Sequence, residues 1–158
     1  LFMKFDDKDI QILNLLQTNA ELTTTEIAEK VHMSQSPCWR RIRQFKEKGI
    51  IKNTVCLLDR EKVGMECVVF IDVNLIRTTI KKIEEFEHQV ADMTEVIECY
   101  TMTGGIDFML KVVTKNIRHY EAFARTKLAP LANISQINSR VALTNVKNTT
   151  VLPLDSQL

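Results

Sequence analysis

Glycine and proline are scarce in this 158-residue chain, at four and three residues, so long flexible or low-complexity linkers are not expected. No run of 18 apolar residues occurs, so no membrane span is expected. The first residues lack a basic stretch followed by an apolar run, so no secretory signal is expected either. The four cysteines, Cys38, Cys56, Cys67 and Cys99, include no C-x-x-C pair, and His32, His88 and His119 lie far apart. A zinc site, a disulfide framework or triad chemistry therefore has little support, and reduced thiols in a cytoplasmic protein are the expectation. No nucleophile–base pair and no phosphate loop are evident, so the chain does not read as an enzyme. Net charge is also nearly absent: 21 Lys and Arg stand against 20 Asp and Glu. A general polycation is thereby excluded, but a local basic surface is not.

What is present is a 45% hydrophobic, well-mixed chain with enough length for one ordinary domain or two small ones. Residues 7–17 carry Ile10, Leu13 and Leu16 at helical spacing after a capping Asp6 or Asp7. A second helix runs through Thr24–Val31 with a threonine cap and Glu26 nearby. A tight turn at His32-Met33 leads to Ser34, the cap of a third helix that holds Pro37 in its first turn and ends before Gly49. Helix, tight turn, helix is the helix-turn-helix arrangement.

Between Ser34 and Lys52 six basic residues face one acid, Glu47, a local charge of +5 in 19 residues. Cys38, Ile42 and Phe45 form a buried stripe, and the other face is basic and polar, as a major-groove reader requires. A solvated basic face on a core helix is the plainer alternative; the turn and the preceding helix favour DNA binding. The candidate DNA residues are Thr24, Ser34, Gln35, Ser36, Trp39, Arg40, Arg41, Arg43 and Lys46. Arg41 or Arg43 can serve phosphate rather than bases. Trp39 either packs between helices or lies against the DNA backbone, and the burial habit of large aromatics favours packing.

Ile50–Leu58 reads as a strand, either a wing or a connection, and Asp59–Gly64 as a polar hinge, which places the domain boundary between residues 62 and 63. The pattern beyond it predicts a strand at Cys67–Leu75, a helix at Thr78–Val90 with Ile80, Ile83, Phe86 and Val90 inward, and a strand at Val96–Met102. A turn at Thr103-Gly104-Gly105 then precedes a strand at Asp107–Val113, a helix at Ile117–Leu128 and a last strand at Ile134–Val146. The order β-α-β-β-α-β is the split ferredoxin-like unit, so the fold class is α+β, with a winged helix-turn-helix domain (1–62) followed by a ferredoxin-like domain (63–158). Helices on one sheet face leave the other open and apolar in places, which predicts a homodimer or larger assembly.

Taken together, several stretches resemble the Lrp/AsnC family, the feast/famine regulators of bacteria and archaea. They are Phe5-Asp6-Asp7-Lys8-Asp9-Ile10 through Leu13, Leu22 with Glu26-Ile27-Ala28, Met33-Ser34, Pro37-Cys38-Trp39-Arg40-Arg41-Ile42, Lys48-Gly49-Ile50-Ile51, Thr103–Leu110 and Asn145–Leu154. The resemblance implies a transcriptional regulator that binds double-stranded DNA, a dimer assembled into octamers or larger rings, and an amino-acid effector bound between C-terminal domains. No other cofactor and no metal is expected. On the same resemblance the effector turn holds Thr103, Gly104, Gly105 and Asp107, approached by Ser139 and Arg140, with an edge or interface role the alternative for Arg140; Tyr100, Thr101 and Met102 lead into the turn and can line an apolar pocket, though Tyr100 and Met102 suit plain sheet packing equally. Two glycines let backbone N–H groups approach a carboxylate, and Asp107 can accept from an α-ammonium. A plain hairpin turn capped by Asp107 is the alternative. An architectural DNA binder that senses nothing is the second function considered.

Overall fold

A computed structural model describes residues 4–155. Its contacts divide the chain into two compact units, one made of residues up to Leu57 together with those from Lys147 on, the other of Leu58–Val146. The boundary lies a few residues before the one expected, and the C-terminal tail belongs to the first unit.

In the first unit, α1 (Asp7–Thr18) opens on a capping box in which Asp6 accepts from the Asp9 N–H and Asp9 accepts from the Asp6 N–H. Helix α2 (Thr24–Lys30) repeats the device with Thr23 and Glu26. These boxes satisfy two of the four unpaired N–H groups at each helix start. His32 adopts φ 52° in the turn, and α3 (Gln35–Glu47) follows Ser34 at its N-cap. Gly49, with φ 69°, ends α3 through a bond from its N–H to the Lys46 carbonyl. Ile12, Leu13, Ile27, Ala28, Val31, Cys38 and Phe45 form the core, and Leu154 of the tail packs against it. The amide of Gln17 pairs with both backbone groups of Leu152, at 2.8 Å each way, which fastens the tail to α1.

Residues 50–58 are not a strand. Their β-branched and apolar residues suit one, but a strand exists only through a hydrogen-bonded neighbour, and none lies beside them among the described residues. Val55, Leu57 and Leu58 are exposed as a result.

The second unit is β1 (Cys67–Leu75), α4 (Ile80–Ala91), β2 (Val96–Thr101), β3 (Phe108–Thr114), α5 (Ile117–Phe123) with a π-helical turn Ala124–Leu128, and β4 (Ile134–Val141). The sheet order is β2-β3-β1-β4 and every pairing is antiparallel. Alternate residues of β1 from Cys67 to Leu75 face the helices and pack on Phe86, Val90, Tyr120, Phe123 and Leu128. Ile80, expected inward, is exposed: it is the first residue of α4, a turn beyond the sheet contact that begins at Ile83. Strand β4 stops at Val141, opposite Val69 near the start of β1, and after a last bond from the Ala142 N–H to the Val68 carbonyl Leu143 and Val146 are exposed instead of paired. The open sheet face alternates half-buried Phe70, Met109 and Val113 with two cross-strand ion pairs, Lys111–Glu98 at 2.7 Å and Arg140–Asp72 at 2.6 Å. The Lys111 bond holds the Glu98 carboxyl below its usual range.

Candidate DNA-binding helix and effector turn

Helix α3 sorts its charged residues by angle. At about 100° per residue, Gln35, Ser36, Trp39, Arg40, Arg43 and Lys46 share one broad stripe, and Cys38, Ile42 and Phe45 share the stripe packed into the core. Ser34 makes no side-chain capping bond, so its hydroxyl is available at the exposed start of the helix. Gln35, Ser36, Arg40 and Lys46 are exposed, and Thr24 is half-buried as the first residue of α2.

Arg41 stands apart from that stripe. Its Nη1 donates to both oxygens of Asp6, at 2.8 and 2.7 Å, and to Asp9 at 2.6 Å. In this structure the guanidinium is held by the capping box of α1, with its side chain 30% exposed. The Asp6 carboxyl is held below its usual range, first by the Arg41 hydrogen bond and then by the Asp9 N–H. The same bonds raise Arg41. Its sequence signal was two acids 32 and 35 residues away, which no local pattern connects to α3.

The packing expected of Trp39 is corrected. It does not pack between helices but is 49% exposed, with the Arg43 guanidinium carbon 5.3 Å from its ring centroid. The ring falls on the stripe opposite the core, so no apolar wall is available to it. Arg43 Nε in turn donates to Glu47 at 2.6 Å.

The turn between β2 and β3 is closed by Met102 N–H donating to the Asp107 carbonyl at 2.9 Å. Gly104 adopts φ 104°, a backbone that L residues rarely take, and the space around both Gly104 and Gly105 is open. Asp107 fixes the turn to β1. Its Oδ2 accepts from the Leu75 N–H at 2.7 Å, and its own N–H donates to Val73 and to Asn74 Oδ1. Asn74 Nδ2 donates back to the Gly105 carbonyl at 3.1 Å. Oδ1 of Asp107 has no partner among the described residues, so one oxygen of the carboxylate remains for a cationic group.

The expected effector residues do not all meet. A cavity of ≈ 280 Å³ on the helix side of the turn is lined by Val90, Ile97, Cys99, Thr101 and Phe108. One of ≈ 110 Å³ on the open face is lined by Asp72, Asn74, Gly105, Ile106, Gln136 and Asn138. Ser139 points to the helix side, where it accepts from Tyr120, whereas its neighbour Arg140 pairs with Asp72 on the open face. Tyr100 donates to Glu98 on β2, at the opposite sheet edge from Arg140. Glu98 also keeps the Tyr100 hydroxyl above its usual range. Tyr100, Ser139 and Arg140 are thus separated by strand order and by side, and Thr103 is exposed at the turn. Asn74, Gln136 and Asn138 were missed because a polar residue in a strand carries no signal until its register is known.

Comparison with known proteins places these features. Residues 68–152 match the Lrp/AsnC ligand binding domain and residues 5–52 a winged helix-turn-helix DNA-binding domain. The glutamate uptake regulatory protein of Zymomonas mobilis is 36% identical over 98% of this chain and 93% of its own. The DNA-binding transcriptional activator DecR of Escherichia coli is 31% identical over 95% and 99%. A transcriptional regulator from Neisseria meningitidis, solved as its L-Met complex, superposes with a TM-score of 0.92 at 33% identity over 98% of this chain and 99% of that one. An AsnC family regulator from Agrobacterium tumefaciens gives the same TM-score at 37% identity over 98% and 100%. These relatives are regulators and not enzymes, and the chain belongs to the Lrp/AsnC family of DNA-binding, effector-responsive transcriptional regulators.

Proposed function

We propose that the effector is a free amino acid held at the Thr103–Asp107 turn, and that it changes the affinity of α3 for duplex DNA. The turn carries the reading: open space at two glycines, beside a carboxylate with one unpartnered oxygen, suits an α-carboxylate on backbone N–H groups and an α-ammonium on Asp107. The Neisseria relative, which binds L-Met, supports the ligand class. Assembly as a homodimer or larger is supported by the exposed apolar residues Val55, Leu57, Leu58, Leu143 and Val146, which no neighbour covers. Coupling between the two sites is expected on the order of 1–3 kcal/mol.

The test is a melting-temperature screen against the twenty amino acids, followed by DNA titration with and without each hit. An amino acid at about 100 times its Kd stabilises the folded protein by about 2.7 kcal/mol. Asp107→Asn keeps an oxygen for the Leu75 N–H and removes the charge facing the ammonium, so it should melt as the wild type does and lose the ligand shift. An unchanged ligand shift in that variant rules out the Asp107 contact. No shift with any amino acid rules out the ligand class.

A further inference from the structure

The Trp39–Arg43–Glu47 stack has a geometry that simple phosphate attraction does not need. Three side chains at i, i+4 and i+8 on the exposed stripe of α3 form a relay: the carboxylate holds Nε, and the guanidinium lies over the indole. Glu47 lies next to Arg43 and partly cancels its charge, which weakens attraction to a phosphate. The carboxylate occupies Nε and not the Nη1–Nη2 edge that would meet a base. It restricts the arginine's rotamers and leaves Nη1 and Nη2 without a partner among the described residues, the two donors that a fork needs. Guanine presents two acceptors, N7 and O6, to such a fork in the major groove. The exposed indole beside it offers an apolar surface, and the thymine 5-methyl is the apolar group that the same groove displays.

We propose that Trp39 and Arg43 act as one composite reader of adjacent thymine and guanine in each half-site, with Glu47 aiming the arginine. The inference rests on α3 being the DNA-reading helix and adds what that helix recognises. Arg43 bonds the guanine, and Trp39 packs on the thymine methyl while keeping the guanidinium flat. Glu47 is a positioning residue. A phosphate-directed role belongs instead to Arg40 and Lys46, which form no ion pair among the described residues.

The test uses the full-length protein and duplexes enriched from a random pool. In one half-site, thymine is replaced by uracil, which removes the methyl, and guanine by 7-deazaguanine, which removes N7. Wild-type affinity should fall about fourfold with uracil, the equivalent of the roughly 0.8 kcal/mol that one buried methyl-sized group contributes. It should fall about fivefold or more with 7-deazaguanine. Trp39→Ala should bind the thymine and uracil duplexes equally, and Arg43→Met, which has no donor for N7, should be indifferent to 7-deazaguanine. Glu47→Gln should lose discrimination at the guanine while binding random duplex no more weakly than the wild type. Because the base analogues are read by the wild-type protein, the test survives a variant that folds poorly. Wild-type indifference to uracil at every thymine overturns the proposal, as does a Trp39→Ala variant weakened equally on enriched and random duplexes. In either case a pool that was enriched leaves DNA recognition standing, whereas a pool that never enriches overturns the DNA-reading role itself.

Discussion

Removing Arg41 separates a positioning charge from a phosphate-binding one. Its Nη1 makes three contacts of 2.6 to 2.8 Å to Asp6 and Asp9, across helices that are otherwise joined by apolar packing. The Asp9 side chain is only 10% exposed and loses its cation in Arg41→Ala, while Asp6 at 54% is well screened by water. A hydrogen bond to a charged group contributes about 1.5–3 kcal/mol when shielded, and discounting for the exposed half leaves about 1–2 kcal/mol. For a unit of this size each 1 kcal/mol moves the melting temperature by about 4–8 °C, so a drop of about 5–10 °C is expected. DNA affinity should fall too, since α3 loses its tie to α1. The slope of log K against log salt should not change, because no phosphate contact is lost. Arg40→Ala should do the reverse, with unchanged melting and a slope reduced by about 0.9 for each phosphate contact removed. Fluorescence anisotropy between low and moderate salt, beside thermal denaturation, gives both readouts. An Arg41→Ala protein that melts normally and shows the shallower salt slope refutes the assignment.

Asp6 should make acid stability depend on Arg41. Its folded carboxyl is depressed, so it contributes stability above its unfolded value near 3.8 that is lost as pH falls through the lower folded value. The advantage of wild type over Asp6→Asn at neutral pH should therefore shrink below about pH 4 in denaturant titrations, and a constant difference would contradict it. Phe45→Ala removes a fully buried ring from the first core and should cost about 3–5 kcal/mol by the same measurement. The two turn glycines should part company: Gly104→Ala meets open space but a strained backbone, costing about 1–3 kcal/mol. Gly105→Ala should stay within about 0.5 kcal/mol of wild type yet weaken effector binding by filling the open face of the turn.

What the chain revealed before folding, and what it hid, follows from the range of each interaction. The core stripe Cys38, Ile42 and Phe45 was legible because a helix repeats every 3.6 residues, and one stripe suffices to orient the other. The capping boxes were equally local. Strand and helix order in the second unit was legible from the change of period. The failures are non-local. Arg41 looked like its neighbours Arg40 and Arg43 until Asp6 and Asp9 were brought beside it, so the count of +5 included a charge that is paired within the protein. Residues 50–58 have the composition of a strand, yet composition supplies no hydrogen-bonding partner. Ser139 and Arg140 are neighbours and so lie on opposite sheet sides, an alternation any strand imposes; register decides which side holds which. That register also places Asn74, silent in sequence, against the Gly105 carbonyl, so the β2–β3 turn is anchored to the central strand β1 by an amide and a carboxylate together. Ligand on the free Asp107 oxygen would therefore pull on β1 and on β4 beside it, and residues 142–151, which hold no helix or strand, link β4 to the tail that Gln17 fastens to α1. Gln17→Ala should then leave amino-acid binding intact and reduce its effect on DNA affinity, and a variant with undiminished coupling would exclude the tail as the connection.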